Sequence, residues 1–261
     1  MAFSKTVENI DKINNVDYNK DSIYLITQFY ISSNIERYKE IVYCLKRNIE
    51  LNLFAKIYLI NEREYSLDEM GITENENKNI QQVIFHKGER MKYIHSIALA
   101  KIKNLKGYII TANSDIFFDN SLLNIRKTSL SILKSFYALL RFEFLNNVNE
   151  NDNNLNNLNN CQLFGPRNDS QDTWIFHSNF LPINIQALSC NFMLGQAGCD
   201  NSIAFLFNSF GFKVYNEPHI IKTYHYHTSS VRVYNEQNKI EPPYLLVKPI
   251  LRNNNLEIKK K

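Results

Sequence analysis

Glycine and proline are scarce: seven and six in 261 residues, and nowhere do they gather with serine into a linker. The chain therefore reads as one domain over residues 1–261, long enough for one large core. Residues 1–20 read as an N-terminal extension and 250–261 as a C-terminal tail. Cysteine is equally thin. Cys44, Cys161, Cys190 and Cys199 show no C-x-x-C spacing, which argues against a disulfide framework and for a reducing compartment. No apolar run approaches the roughly 20 residues of a membrane span, and Met1-Ala2-Phe3-Ser4-Lys5 holds no signal-peptide core. The expectation is a cytoplasmic protein without a transmembrane segment. An excess of one charge is also lacking. The net charge is only +4, part of it from Lys259-Lys260-Lys261, and no basic stripe runs through the domain, so no nucleic-acid partner is expected. The mild positive balance suits a small anionic ligand. There is no G-x-S-x-G elbow, and Gly195-Gln196-Ala197-Gly198 lacks the lysine of a phosphate-cradling loop, which sets aside a nucleophilic hydrolase and a P-loop enzyme.

What is present is an alternation of β-rich and helical segments. Ile23 to Phe29 reads as a buried strand, and Glu36 to Asn52 as a helix in which Ile41, Val42, Leu45 and Ile49 recur at helical spacing, with Leu53 continuing the series. Lys56–Ile60 is a second strand, Gln82–Phe85 a short one, Met91–Lys103 a helix and Gly107–Ala112 a strand that ends in Asn113-Ser114-Asp115. Strand, helix, strand with short connections predicts a parallel sheet. The second half is less regular. Phe136–Phe144 predicts a strand running into an Asn-rich mobile insertion over 146–160. Asn201–Phe210 predicts a helix closed by Gly211, followed by strands at Lys213–Tyr215 and Ile220–His227. No internal repeat is found. The predicted fold class is α/β, with a Rossmann-like, mainly parallel central sheet flanked by helices and an irregular second half.

Ligands of open parallel sheets bind beyond the carboxyl ends of the strands. Thr27-Gln28-Phe29-Tyr30 and Thr111-Ala112-Asn113-Ser114-Asp115-Ile116-Phe117-Phe118-Asp119 lie at such ends. The second delivers a carboxylate from a buried strand, and the apolar Ile-Phe-Phe pins the turn after it. Asp115 is thereby a candidate ligand for Mg²⁺ or Mn²⁺, which prefer hard oxygen donors and bridge phosphates. The plainer alternative is an Asx turn. Three further segments accompany it: Ser170-Gln171-Asp172-Thr173-Trp174-Ile175-Phe176, Gly198-Cys199-Asp200-Asn201, and His225-Tyr226-His227-Thr228-Ser229-Ser230-Val231-Arg232.

Taken together, these four segments resemble a family of GT-A-fold nucleotide-diphospho-sugar glycosyltransferases found in bacteria and large DNA viruses. Members carry N-x-D-I-x-F-D, Q-D-x-W, G-C-D-N and a closing H-x-H-x-S-x-x-R in this order. The resemblance covers about Tyr24 to Tyr234. It implies a metal-dependent transfer of sugar from a nucleotide-diphosphate donor, a UDP-sugar first of all, to a glycan or other hydroxyl acceptor, in the cytoplasm (a host's, were the source viral). Asn113-Ser114-Asp115 then takes the place of the D-x-D motif with only Asp115 fully charged. His225 or His227 would complete the metal shell, since alternate residues of a strand share a face; simple packing of the two rings is the alternative. A zinc site from Cys199, His225 and His227 matches no standard spacing.

The resemblance also implies that Arg90 and Tyr93 line the nucleotide, with Thr27 and Phe29 flanking the base. Asp172 and Asp200 are the candidate catalytic carboxylates, whether as base or as stabiliser of positive charge on the sugar. Asp200 also reads as an ordinary helix N-cap. Trp174 is either a sugar-stacking platform or core. Two other functions compete. A sugar-phosphate nucleotidyltransferase would need a Gly-rich basic loop after the first strand, where Thr27 to Ser33 holds neither glycine nor lysine. A non-catalytic nucleotide- or carbohydrate-binding module is kept open by Asn113.

Overall fold

The structure is a computed structural model that describes residues 21–85, 87–144, 158–181, 189–229 and 236–251. The N-terminal extension, most of the Asn-rich segment, Ser230-Val231-Arg232 of the closing motif and nearly all of the C-terminal tail lie outside the described residues. The first half follows the expected alternation: β1 (Ser22–Thr27), α1 (Ile35–Glu50), β2 (Lys56–Ile60), α2 (Leu67–Met70), β3 (Ile80–Val83), α3 (Tyr93–Ile102) and β4 (Gly107–Ala112). The third strand starts two residues before Gln82 and stops short of the expected Ile84 and Phe85. The second half contains β5 (Ile116–Phe118), β6 (Ser135–Leu139), β7 (Phe142–Phe144), β8 (Cys161–Leu163), β9 (Thr173–His177), α4 (Cys199–Ser209), β10 (Lys213–Tyr215) and β11 (Thr223–His225).

Seven strands form the central sheet in the order β10-β6-β9-β4-β1-β2-β3. All neighbours are parallel except β9, which is antiparallel to both β4 and β6. All six residues of β4 are buried, as a strand covered on both faces requires. Successive side chains alternate between two cores. Leu25, Leu59, Tyr108 and Ile110 pack on the α1 side, while Ile26, Ile60, Ile109, Phe136 and Phe207 pack toward α3 and α4. On the second side, Phe136 and Phe207 stack with centroids 3.8 Å apart. At the foot of β4, a Cβ on Gly107 would lie 2.1 Å from the Ser22 carbonyl oxygen, so only glycine lets β1 and β4 start side by side.

The order β3-β2-β1-β4 places a topological switch point between β1 and β4, where a crevice opens beyond their carboxyl ends. α1 crosses that crevice. Its N-cap Asn34 accepts a hydrogen bond from the Arg37 backbone N–H at 2.9 Å, which fixes the direction of the first turn.

The structure corrects two strand expectations. Phe136–Phe144 is two strands in different sheets, broken at Leu140-Arg141. The Leu140 N–H is taken by the buried Asn216 side chain at 2.9 Å, so the ladder ends there. Phe142 then enters a second sheet of order β5-β11-β7-β8. Likewise only Thr223–His225 of Ile220–His227 is strand, antiparallel to β5 and parallel to β7. This second sheet sits at the carboxyl edge of the first and was not anticipated.

Asn216 ties three pieces together. Its side chain accepts from Leu140 and donates to the Val247 carbonyl at 3.0 Å, and it is 1% exposed. Asn216→Ala leaves both backbone groups unpaired, at about 1–3 kcal/mol for each. Urea unfolding should show a loss on that scale. A loss under about 0.5 kcal/mol, the level of an ordinary surface substitution, would contradict the assignment.

Candidate active site

The turn after β4 is closed by the Ile116 N–H donating to the Asn113 carbonyl at 3.2 Å, and Tyr226 N–H donates to the Asp115 carbonyl at 3.0 Å. Asp115 is thus held between two sheets, and it is 6% exposed. Its Oδ2 accepts from Arg37 Nη2 at 2.7 Å and from His225 Nε2 at 3.1 Å, and lies 3.8 Å from His227 Nδ1. The two imidazole rings stack with centroids 5.4 Å apart, although the strand expected to carry both ends at His225, and His227 lies beyond it.

A surrounding ring of charge balances this centre. His225 Nδ1 lies 3.4 Å from Glu143 Oε1, and Glu143 pairs with Arg141 at 2.8 Å. Arg37 Nη1 donates to Glu40 at 2.9 Å. Glu40, 1% exposed, also accepts from the backbone and hydroxyls of Thr228 and Ser229, which seats the segment carrying His227 on α1. Burial alone would raise the Asp115 carboxyl, but His225 and Arg37 hold it well below the usual carboxylate range. Burial would lower His225, yet Asp115 and Glu143 push it up to about 9. Glu143 is lowered to about 2 against its burial by His225 and Arg141.

Asp172 completes the arrangement from the opposite wall. Its Oδ2 accepts from Arg141 Nη1 at 2.6 Å and its Oδ1 from Asn113 Nδ2 at 2.9 Å. Asn113, which stands where the resemblance expects a first acid, is therefore a donor that orients Asp172. One open cleft is lined by Gln28, Tyr30, Arg37, Arg90, Asn113, Ser114, Asp115, Arg141, Asp172, His225 and His227. Arg90 donates to the Leu194 carbonyl at 3.2 Å and makes no ion pair among the described residues.

Five of the expected site residues do not line this cleft. Thr27 and Phe29 point away from it, and Phe29 packs edge-on against Tyr65 with centroids 5.1 Å apart. Their neighbours Gln28 and Tyr30 face the cleft instead, the opposite parity at the strand end. Tyr93 and Trp174, each 2% exposed, pack against one another in the core with centroids 4.8 Å apart. Trp174 is thus core rather than a sugar platform, because β9 turns it toward α3. Asp200 is not the helix cap: Gly198 holds that position at φ +78°. The Asp200 carboxylate accepts from the Gln171 and Asn201 backbone N–H groups, behind Asp172, and burial raises it to about 6. The Gly195–Gly198 stretch before α4 is pinned on both its polar middle and its backbone. Gln196 donates its side-chain amide to the Asn238 carbonyl, and Ile240 N–H donates to the Ala197 carbonyl.

Arg37, Arg141, Glu40 and Glu143 were not anticipated. A signal existed for two of them. A cation in the first turn of a helix works against the helix dipole, so Arg37 there implies an anionic partner. Arg141 interrupts an apolar run that otherwise reads as core.

Among the described residues, Asp115 Oδ1 and His227 Nε2 are buried without a hydrogen-bond partner, and single donor atoms of Asp115, His225 and His227 lie within 4.8 Å of one another. Unsatisfied buried polar atoms call for a ligand or ion, and the mixed oxygen and nitrogen set fits a divalent cation, Mn²⁺ better than the strictly oxygen-seeking Mg²⁺.

No protein-family model matches the sequence, and no curated protein matches it. Among solved structures, the chain is similar to a mannosyltransferase from Pyrobaculum calidifontis in complex with GDP-Man and Mn²⁺, at 12% identity and TM-score 0.47, covering 77% of this chain and 56% of that one. It is similar also to GalNAc-T7 with UDP, GalNAc and Mn²⁺, at 12% identity and TM-score 0.48, covering 87% and 46%. The chain thus spans about half the length of these two proteins. A 4-diphosphocytidyl-2C-methyl-D-erythritol synthase from Anaerococcus prevotii is similar at 13% identity and TM-score 0.43, covering 84% and 94%. Likenesses this distant carry no functional argument, and the site is read from its own residues. Among the described residues, no helix is long and apolar enough to cross a membrane.

The charge ring has a testable pH signature. His225 keeps its proton to about pH 9 in the folded chain, against 6.5 for the free side chain. Its stabilisation is therefore complete below pH 6.5 and lost as pH rises through 9. Asp115 acts at the other end: its contribution holds above 3.8 and disappears only in stronger acid. The urea midpoint should fall between pH 6.5 and 9 in the wild type and stay flatter in His225→Gln. Parallel curves for the two proteins would refute the pairing.

Proposed function

We propose that this chain is a metal-assisted glycosyltransferase that takes a nucleotide-diphosphate sugar, a UDP-sugar foremost, as donor and a glycan or other hydroxyl compound as acceptor. The observation that carries the reading is the meeting of Asp115, His225 and His227 with Arg37, Arg90, Arg141 and Asp172 in one cleft, at the switch point of a parallel sheet. Asp115, His225 and His227 would hold a divalent cation, His225 giving up the proton it shares with Asp115, and the ion when bound would supply positive charge against the donor diphosphate.

The chain's own groups then have distinct tasks. Arg90, free of carboxylates among the described residues, offers donors to a phosphate, and Tyr30 and Gln28 present polar atoms at the strand end where a nucleoside would lie. Asp172 is the carboxylate that faces the acceptor. Each of its oxygens already accepts one hydrogen bond, and a carboxylate has about four acceptor sites, so lone pairs remain to take a hydroxyl proton. Arg141 and Asn113 keep it oriented. Geometry favours Asp172 of the two candidate acids. Burial raises the proton affinity of Asp200, but it stands behind Gln171 and supports the segment rather than the substrate.

The alternative of a nucleotidyltransferase gains no support from the site, because the Thr27–Ser33 segment offers no glycine or lysine to a triphosphate. One panel separates the readings: melting and turnover with UDP- and GDP-sugars, and with nucleoside triphosphate plus sugar phosphate, each with and without Mn²⁺. Stabilisation and sugar release are expected only for a nucleotide sugar with Mn²⁺. Pyrophosphate release from a triphosphate would replace the proposal with its rival.

Two variants test the roles. Asp115→Asn should abolish the Mn²⁺-dependent stabilisation and turnover. Asp172→Asn should keep donor-induced stabilisation yet lose turnover by about 10² or more, the scale of a positioned acid–base group; the flexible assignment of the Asn113 amide lets its oxygen meet the new donor. Near-wild-type turnover in Asp172→Asn would remove that residue from the mechanism.

A further inference from the structure

Arg37 occupies the space between two of the three candidate metal ligands. Its Nη2 is 2.7 Å from Asp115 Oδ2 and its Nη1 is 2.7 Å from His227 Nδ1. A guanidinium has only donors, so His227 Nδ1 must accept. A neutral imidazole carries a single N–H, which then sits on Nε2, the atom that is buried without a partner. Both ring nitrogens are therefore closed to a cation: the lone pair of one is turned on Arg37 and the other is protonated. Moving the proton to Nδ1 would open Nε2 but set N–H against N–H at 2.7 Å. Asp115 Oδ2 is likewise taken, by Arg37 and His225, and a divalent ion beside the guanidinium would meet like charge in a poorly screened site.

Departure of Arg37 would free His227 Nδ1 and half of the contacts on Asp115 Oδ2 while leaving Glu40 hydrogen-bonded. Glu40, its second partner, keeps the Thr228 and Ser229 donors, so the deeply buried carboxylate stays satisfied. Arg37 itself lines the cleft and has open space to move into.

We propose that Arg37 is a built-in competitor of the divalent cation. It neutralises Asp115 and locks His227 in a tautomer that cannot ligate, and it must swing out before the ion is held. This inference rests on the reading of Asp115, His225 and His227 as a metal site.

The test is a titration of the protein with Mn²⁺ alone, free ion being read from its electron paramagnetic resonance signal, for the wild type, Arg37→Gln, Arg37→Lys and Asp115→Asn. Circular dichroism melting checks folding. A binding site that is open only part of the time loses apparent affinity in proportion. Arg37→Gln should therefore bind Mn²⁺ roughly tenfold more tightly than the wild type, or bind it where the wild type does not. Arg37→Lys, whose point charge cannot bridge both partners, should fall between them. If Asp115→Asn abolishes binding while both Arg37 variants match or fall below the wild type, Arg37 is no competitor and the metal site stands. If no protein in the set binds Mn²⁺, the metal reading fails and this inference fails with it. Should Arg37→Gln not fold, Arg37→Lys decides alone: tighter binding than the wild type supports the proposal, and equal or weaker binding overturns it.

Discussion

The arrangement depends on a buried carboxylate that cannot be left alone. Taking an ion such as Asp115 out of water costs on the order of several kcal/mol, and the cost is recovered only through well-placed partners. Asp115 has Arg37 at 2.7 Å and His225 at 3.1 Å on one oxygen, and no hydrogen-bond partner on the other among the described residues. The centre is thus paired on one side and open on the other. That half-finished state distinguishes it from a purely structural ion pair such as Arg63 with Glu69, which lies exposed on the surface at 2.7 Å and contributes little.

The irregular second half becomes intelligible from this requirement. The small sheet exists where partners must be carried to the edge of the large one. β5 extends the Asp115 turn, β11 lies against it and brings His225, and β7 lies against β11 and brings Glu143 opposite His225. Arg141 stands at the break between β6 and β7, where leaving one sheet for the other points its guanidinium at Asp172 and Glu143 together. α1 supplies the remaining side: Arg37 and Glu40 from its first turns, and Asn48, whose side chain bonds the backbone of Ile116 and Phe118. A single helix therefore both anchors β5 and seats the segment bearing His227. These contacts make the walls of the cleft part of the fold.

The segment over 236–251 plays a comparable part on the far wall. It bonds Ala197, Asn201, Asn168 and Asn216 in turn, so the loop before α4 is held against Arg90 rather than left free. Asp200, at the start of that helix, fastens Gln171 and so the Asp172 strand entrance. Its elevated proton affinity is the consequence of burial beside Asp172, a supporting position rather than a reactive one.

Local pattern alone determined a good deal here. The apolar runs of β1, β2 and β4 and the periodicity of α1 are consequences of burial on one or two faces, which is written in consecutive residues. The turn bearing Asp115 was legible from its place at the end of such a run. Only the tertiary structure decided which charges meet. Arg37 reaches across 78 positions to Asp115 and across 190 to His227, and no local signal names a partner at such separation. The same holds for parity at the end of β1, where Gln28 and Tyr30 rather than Thr27 and Phe29 face the cleft, and for Trp174, whose side of the sheet was set by the antiparallel register of β9. Side-chain direction beyond a strand's last ladder bond is set by what packs against it, and that information lies in the rest of the fold.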